Sequence, residues 1–197
     1  HLKSKGASKV LLTAPTKPPL KNIVYGVNES DLNNTDKIVG AASCTTNAIV
    51  PLLKALDDDY GIINGHVETI HSYTNDQNLI DNYHSKSRRG RSAALNMVIT
   101  ETGAASAVSQ ILPNLKGKLT ANAIRVPTPN VSLAILKLSL KKSLNDKETA
   151  NEYFRQLAFH STYKDQIDFT NSSEIVSSDL VGSRYACVID SEAPICD

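Results

Sequence analysis

The chain has 197 residues, of which 41% are hydrophobic and 21% are charged, so it is long enough to bury a substantial core. Its 21 basic and 20 acidic side chains nearly balance, which gives no indication of a general nucleic-acid or membrane surface. No apolar run approaches the roughly 20 residues of a bilayer span, and no secretory signal is visible. The three cysteines (Cys44, Cys187 and Cys196) lack the spacing of a disulfide framework or a zinc site, which favours free thiols in a reducing compartment.

Short apolar runs separated by loops predict three strands before residue 43. Residues 9–14 are predicted to form a buried strand, and the proline-rich residues 15–20 a loop. Residues 23–27 and 37–40 are two further strand candidates. Closely spaced short strands of this kind indicate part of a sheet rather than a whole domain.

The most regular pattern in the chain follows Ser43 and predicts a helix. Apolar residues recur on one helical face, at Ile49, Leu52, Leu53 and Leu56. The helix is expected to begin within residues 43–46, whose Ser and Thr side chains favour a helix cap. It is expected to stop around residues 57–59, because three Asp side chains oppose the helix dipole at its C-terminal end.

The later part of the chain alternates between strand and helix patterns. Residues 67–71 predict a strand that ends at His71, and residues 72–96 form a long polar segment of the kind that usually carries function. Helices are predicted over residues 103–112 and 148–159. Strands are predicted over residues 131–140, 174–181 and 186–189.

Cys44 lies at the predicted start of the first helix, where unpaired N–H groups and the helix dipole stabilise a thiolate. His71, at the end of a strand, has the best setting of the five histidines for a general base. Backbone N–H groups near Thr45 could hold a developing oxyanion. From the pattern alone, however, a lone cysteine is more often a small buried hydrophobe and a lone histidine more often structural.

The segment Ser43-Cys44-Thr45-Thr46-Asn47 resembles the active-site motif of phosphorylating glyceraldehyde-3-phosphate dehydrogenases. Residues 71–77, 102–105, 125–132 and 176–179 resemble the family's histidine segment, its phosphate-binding turn, its arginine-bearing strand and a later strand. The resemblance implies a fold that combines α/β and α+β parts. Residues 1–42 would be the C-terminal remnant of a Rossmann NAD(P)-binding domain, and residues 43–197 the mixed-sheet α+β catalytic domain.

The resemblance also implies an activity, the glycolytic oxidation of glyceraldehyde 3-phosphate to 1,3-bisphosphoglycerate with NAD or NADP as the hydride acceptor. Cys44 would attack the aldehyde and carry the resulting thioester, and His71 would take the hydroxyl proton. Inorganic phosphate would then cleave the thioester.

Further residues acquire roles only through this resemblance. Thr74 and Arg125 match the site for the substrate's own phosphate, and Thr102, Gly103 and Arg89 match the site for the attacking phosphate, with Arg88 as the rival of Arg89. The remaining candidates are Ser43 and Thr45 as substrate or phosphate contacts and Thr13 and Asn75 as cofactor contacts. No metal site is expected.

The chain departs from the family's pattern in ways that affect this prediction. It contains no Gly-x-Gly-x-x-Gly strand–turn–helix for a dinucleotide pyrophosphate, it begins without Met, and it stops short of the family's last strand and helix. We therefore expect an internal fragment that is inactive by itself. Ala48 replaces a second cysteine that many relatives carry four residues after the nucleophile.

Three alternatives stay open. A dehydrogenase of erythrose 4-phosphate would use the same thiol and base, and a cysteine hydrolase would use them without a nucleotide. The basic cluster of Arg88, Arg89 and Arg91 could bind RNA as an added property, although nucleic acid is not an expected partner. The resemblance further implies a homotetramer in the full-length protein and a cytoplasmic location, with an organellar form left open and no membrane association.

Overall fold

The first sheet lies at the N-terminal end of the chain and contains three short parallel strands. The structure, a computed structural model, describes residues 2–3 and 6–196. Strands β1 (Val10–Leu12) and β2 (Lys21–Asn22) flank β3 (Ile38–Gly40) in the order β1-β3-β2. The interpretation of this sheet as the end of a Rossmann domain, with a boundary after residue 42, stays a prediction.

Two details of the first sheet correct the sequence prediction. The strand expected over residues 23–27 is wrong, because β2 ends at Asn22 and the chain then turns, with Gly26 in the left-handed region at φ 76°. The expected burial of residues 9–14 is also wrong, since Leu11 and Leu12 are 65% and 41% exposed. Apolar character predicted the strand correctly, but not whether another layer covers it.

A four-stranded mixed sheet forms the centre of the molecule. It consists of β4 (Ile62–Ser72), β5 (Val98–Thr100), β6 (Leu119–Val126) and β7 (Leu133–Leu140), in the order β5-β6-β4-β7. Strand β4 is parallel to β6 and antiparallel to β7, and β5 is antiparallel to β6. This mixed sheet confirms the predicted α+β character of the part after residue 42.

Three helices and a small parallel strand pair complete the fold. The helices are α1 (Cys44–Asp59), α2 (Ala104–Ile111) and α3 (Lys147–His160), and the pair is β8 (Ile167–Thr170) with β9 (Cys187–Asp190). The strand expected over residues 174–181, including the one implied at residues 176–179, is wrong. A 3₁₀-helix at Ser177–Leu180 occupies this segment, and Asp179 accepts a hydrogen bond from the Val176 N–H at its start.

Helix α1 supplies much of the core and also carries the candidate nucleophile. Its apolar face, including the fully buried Ile49 and Leu53, packs in one cluster with residues of β4, α2 and β8. The helix ends at Asp59, within the range of residues 57–59 where it was expected to stop. Each carboxylate has a partner that offsets its unfavourable position at the negative helix end: Asp57 accepts from the Ile62 N–H, Asp58 from Lys54 and Asp59 from the Tyr153 hydroxyl.

Candidate active site

A sharp turn between β3 and α1 delivers Cys44 to the first position of the helix. Ala42, a buried residue, adopts φ 59° in this turn. Ser43 is the N-cap, and its hydroxyl accepts a hydrogen bond from the Thr46 N–H at 3.1 Å. The Cys44 thiol is therefore exposed at the positive end of a 16-residue helix dipole.

His71 lies near the end of β4 and points its imidazole at this thiol. The ring Nε2 is 3.6 Å from the Cys44 Sγ, although the two residues are 27 positions apart in the chain. The other ring nitrogen, Nδ1, is 2.7 Å from the carbonyl oxygen of Ser72. Because a carbonyl can only accept, this contact favours a proton on Nδ1 and leaves Nε2 free to take the thiol proton.

This arrangement makes Cys44 unusually acidic for a thiol. Its hydrogen bond with His71 is the main cause that lowers the Cys44 pKa to about 7, against the opposing effect of partial burial. Hydrogen bonds from the backbone and side chain of Thr45 lower it further. Near neutral pH, a large fraction of Cys44 is thus the nucleophilic thiolate.

Arg125, on β6, lies next to the Nδ1 edge of the His71 ring, whereas Cys44 lies at the Nε2 edge. The Arg125 Nη1 donates one N–H to the Ser72 carbonyl at 2.9 Å and the other to the Thr74 hydroxyl at 3.2 Å. Nη1 also lies 3.0 Å from the His71 Nδ1, but because both N–H groups have oxygen acceptors, Nδ1 can keep its own proton. Burial, and then the nearby charge of Arg89, lower the pKa of Arg125. The structure therefore brings Thr74 and Arg125 together beside the thiol–imidazole pair, as expected for a phosphate site.

Arg89 is held in place by a partner that the sequence analysis did not identify. Arg89 is only 8% exposed. Its guanidinium forms an ion pair with Asp76 and donates to the Thr100 hydroxyl and the Glu101 carbonyl. Because the charge of Arg89 lowers the pKa of Arg125, the two cationic groups are close enough to interact electrostatically. Asp76 was visible only as one acid within a long polar loop, and no sequence spacing pairs it with an arginine 13 residues later.

The other phosphate candidates lie on neighbouring backbone. Thr102 accepts a hydrogen bond from the Ala104 N–H, and Gly103 is the exposed N-cap of α2, adjacent to the Glu101 carbonyl that Arg89 contacts. Gly103 has open space where a side chain would lie. Unpaired N–H groups at a helix start suit an anion.

Thr13 and Asn75 are both exposed, and neither side chain forms a hydrogen bond with the described residues. Thr13 follows the carboxyl end of β1, where the Leu12 carbonyl accepts from the Ala41 N–H just before the turn to Cys44. Thr13 offers a hydroxyl at this edge, and Asn75 offers an amide in the loop after β4; both groups suit the polar end of a nicotinamide. They do not provide the row of N–H groups that a pyrophosphate requires.

Residues 2–3 and 6–196 contain neither a membrane-spanning helix nor a cluster of side chains that could hold a metal ion. None of the helices there is long and apolar enough to cross a membrane. No group of three or more His, Cys, Asp or Glu side chains in that part of the chain is arranged to hold a metal ion.

Comparisons with known proteins assign the chain to a family. A sequence model described as glyceraldehyde 3-phosphate dehydrogenase, C-terminal domain, matches residues 43–196. A glyceraldehyde-3-phosphate dehydrogenase-like protein of Pseudomonas aeruginosa is 66% identical over 197 residues, which is 100% of this chain and 42% of that protein. The glyceraldehyde-3-phosphate dehydrogenase of Borreliella burgdorferi is 44% identical over 96% of this chain and 56% of its own length.

The match extends to plants. The chloroplastic glyceraldehyde-3-phosphate dehydrogenase A of Zea mays is 46% identical over 92% of this chain and 43% of its own length. The chain thus spans about half the length of the curated relatives it matches. Because the family model covers most of the sequence and includes every element from α1 to β9, the chain belongs to the glyceraldehyde 3-phosphate dehydrogenase family through its C-terminal domain.

Proposed function

We propose that this chain carries the nucleophile, base and phosphate sites of a phosphorylating glyceraldehyde-3-phosphate dehydrogenase. The observation that carries the proposal is the contact between Cys44 and His71 at a helix start, with Arg125 immediately behind it. The names of the relatives support the same activity.

The thiolate of Cys44 adds to the aldehyde carbon, and the former thiol proton, held on His71 Nε2, passes to the carbonyl oxygen to give a hemithioacetal hydroxyl. His71 Nε2 takes this proton back when the hydride leaves the same carbon. The Ser72 carbonyl stabilises the imidazolium that forms, because it accepts the Nδ1 proton. NAD or NADP, when bound, accepts the hydride, and Thr13 and Asn75 are the residues that would contact its nicotinamide end. The acyl group then stays on the Cys44 sulfur as a thioester.

The two arginines divide the phosphate chemistry in this proposal. Arg125 and Thr74 bind the phosphate that the substrate carries, because they contact each other and Arg125 lies next to His71. Arg89, Thr102 and the Gly103 backbone bind the inorganic phosphate that attacks the thioester, with Ser43 and Thr45 contributing at the helix start. Guanidinium groups and free N–H groups are suitable partners for phosphate oxygens.

The reverse half-reaction tests this proposal without any nucleotide. The Cys44 thiolate should attack the acyl carbon of 1,3-bisphosphoglycerate, forming the S–acyl bond, breaking the acyl–O bond and releasing inorganic phosphate. Intact-mass spectrometry of the chain should then show one added 3-phosphoglyceryl group, which peptide mapping places on Cys44. Cys44→Ser should abolish the adduct, and absence of an adduct on the native chain would contradict the proposal.

A pair of arginine variants tests the phosphate assignment. Arg125→Gln should reduce the rate of acylation by 1,3-bisphosphoglycerate by about tenfold or more, since a charge-assisted phosphate contact contributes about 1.5–3 kcal/mol. Arg155→Gln is the matched control, because Arg155 pairs with Glu152 on the surface of α3. Equal acylation rates for the two variants would contradict the role of Arg125.

The choice of aldehyde is tested on the full-length protein. We expect a preference for glyceraldehyde 3-phosphate over erythrose 4-phosphate, measured as the ratio of kcat/KM for the two aldehydes with NAD and with NADP. A preference for the tetrose would favour the alternative dehydrogenase. The homotetrameric assembly and the cytoplasmic location implied by the resemblance stay predictions.

A further inference from the structure

One backbone carbonyl, that of Ser72, connects the general base to the substrate-phosphate arginine. Its oxygen lies 2.7 Å from the His71 Nδ1 and 2.9 Å from the Arg125 Nη1. The position of this single oxygen therefore affects which nitrogen of His71 carries the proton and where the guanidinium of Arg125 lies.

The side chain of Ser132, the residue just before β7, holds Ser72. The hydroxyl of Ser132 accepts a hydrogen bond from the Ser72 N–H at 3.2 Å and lies 3.4 Å from the Ser72 hydroxyl. The regular antiparallel register of β4 with β7 ends at the Ile70–Leu133 pair, one residue before His71. Ser132 thus continues the link between the two strands with its side chain, beyond the last backbone pairing.

The backbone before Ser132 is strained, which is unusual for the residue type found there. Val131 adopts φ 63°, in the left-handed region that β-branched residues rarely enter. The Asn130 side chain accepts a hydrogen bond from the Val131 N–H at 2.9 Å. Strained backbone of this kind clusters at functional sites, and the residue that follows Val131 is Ser132.

We propose that Ser132 is a positioning residue, which fixes the Ser72 carbonyl and through it the proton-accepting tautomer of His71 and the guanidinium of Arg125. This inference rests on the proposed function, because it assigns Ser132 to the service of the Cys44–His71 pair. Ser132 itself does not touch the reacting sulfur. Ser132 is exposed.

The pH profile of Cys44 alkylation tests the inference, because a merely structural serine would not move it. Iodoacetamide alkylation of the chain would be measured over a range of pH, with peptide mapping to separate Cys44 from the other cysteines. For Ser132→Ala and Ser132→Val, we expect the pH of half-maximal rate to rise by about one unit, which lowers the rate at neutral pH about fivefold.

Three variants control for packing and folding. Ser132→Thr keeps the hydroxyl and should retain the native profile. Ser132→Val has the same shape as the threonine variant but lacks the hydroxyl, so this pair tests the role of the hydroxyl even if the alanine variant fails to fold. Ser139→Ala, at an exposed serine near the other end of β7, should also leave the profile unchanged. Thermal unfolding of each variant reports whether it is folded.

The outcomes separate this inference from the proposed function. A native profile that His71→Gln shifts but that Ser132→Ala and Ser132→Val leave unchanged would overturn the role of Ser132 alone. An equal shift for Ser132→Thr and Ser132→Val would assign the effect to packing and would also overturn it. An ordinary thiol profile in the native chain, insensitive to His71→Gln, would overturn both the inference and the proposed function.

Discussion

Cys44 and Cys187 are the same chemical group in two environments that drive their acidity in opposite directions. Cys44 is exposed at the start of α1 and hydrogen-bonded to His71, which lowers its pKa to about 7. Cys187 lies in β9, where burial raises its pKa to about 11. The difference teaches that reactivity in this fold comes from the partner and the helix end, not from the presence of a free thiol.

The strand position of Cys187 explains why it gains no such help. Strands of a sheet have only a small net dipole, so β9 offers no counterpart of the positive end of α1. The sole cause of the Cys187 pKa shift is desolvation, and no charged partner opposes it. Cys187 therefore behaves as the small buried hydrophobe that a lone cysteine usually is.

The largest expected effect comes from removing the base. His71→Gln should return the Cys44 pKa close to the ordinary thiol value of about 8.5, which lowers the alkylation rate at neutral pH by roughly 15-fold. His160→Gln, at an exposed histidine at the end of α3, is the matched control. Stopped-flow alkylation with peptide mapping measures the Cys44 rate in both variants. An unchanged rate in His71→Gln would contradict the claim that His71 makes Cys44 more acidic than Cys187.

The second effect concerns stability in alkaline solution. Because the folded-state pKa of Cys187 is raised, its contribution is complete below the unfolded thiol pKa and is lost as the pH rises toward 11. At a pH about one unit above the ordinary thiol pKa, the free energy of unfolding should be lower by roughly 1.4 kcal/mol.

Urea unfolding at several alkaline pH values measures this loss. Cys187→Ala removes the titrating group, so its free energy of unfolding should fall less steeply with pH than that of the native chain. If the free energy of unfolding fell equally steeply with pH for the two proteins, Cys187 would ionise normally in the folded state. The difference between the pKa values of Cys187 and Cys44 would then be smaller than that between about 11 and about 7.

The third effect concerns the N-cap of α1. Ser43→Ala should lower the free energy of unfolding by about 1 kcal/mol, because the hydrogen bond to the Thr46 N–H is lost. Ser43→Asp should keep the cap and most of the stability, while its negative charge beside the thiolate raises the Cys44 pKa.

Urea unfolding and Cys44 alkylation at neutral pH separate the two roles of Ser43. The account requires the alanine variant to lose stability and the aspartate variant to lose thiol reactivity. If both variants matched the native chain in both measurements, the helix start would have no part in activating Cys44.

The sequence predicted the local features on which this site is built. Helical spacing identified α1 and placed its start within residues 43–46, and alternation placed His71 at the end of a strand; α1 begins at Cys44, and His71 lies near the end of β4. It could not show from spacing that these residues meet, because the 3.6 Å contact depends on the packing of α1 against the sheet. Only the resemblance to a family indicated that pairing.

The contacts that the sequence did not predict join residues that are distant in the chain. Asp59, the last residue of α1, accepts a hydrogen bond from the Tyr153 hydroxyl, which no local pattern indicates. Asp76 gave no sign of its pairing with Arg89, and Ser132 none of its bond to Ser72, since both links join separate elements. Local patterns carry no information about such links.

The most direct test of the account is the pH dependence of alkylation at Cys44 and Cys187 in the native chain, followed at both sites by mass spectrometry. The account predicts a midpoint near 7 for Cys44 and near 11 for Cys187. Of these two thiols, Cys44 should therefore be almost the only one that reacts at neutral pH. If both thiols titrated together near the ordinary value of about 8.5, the claim that His71 and the helix start activate Cys44 would be contradicted.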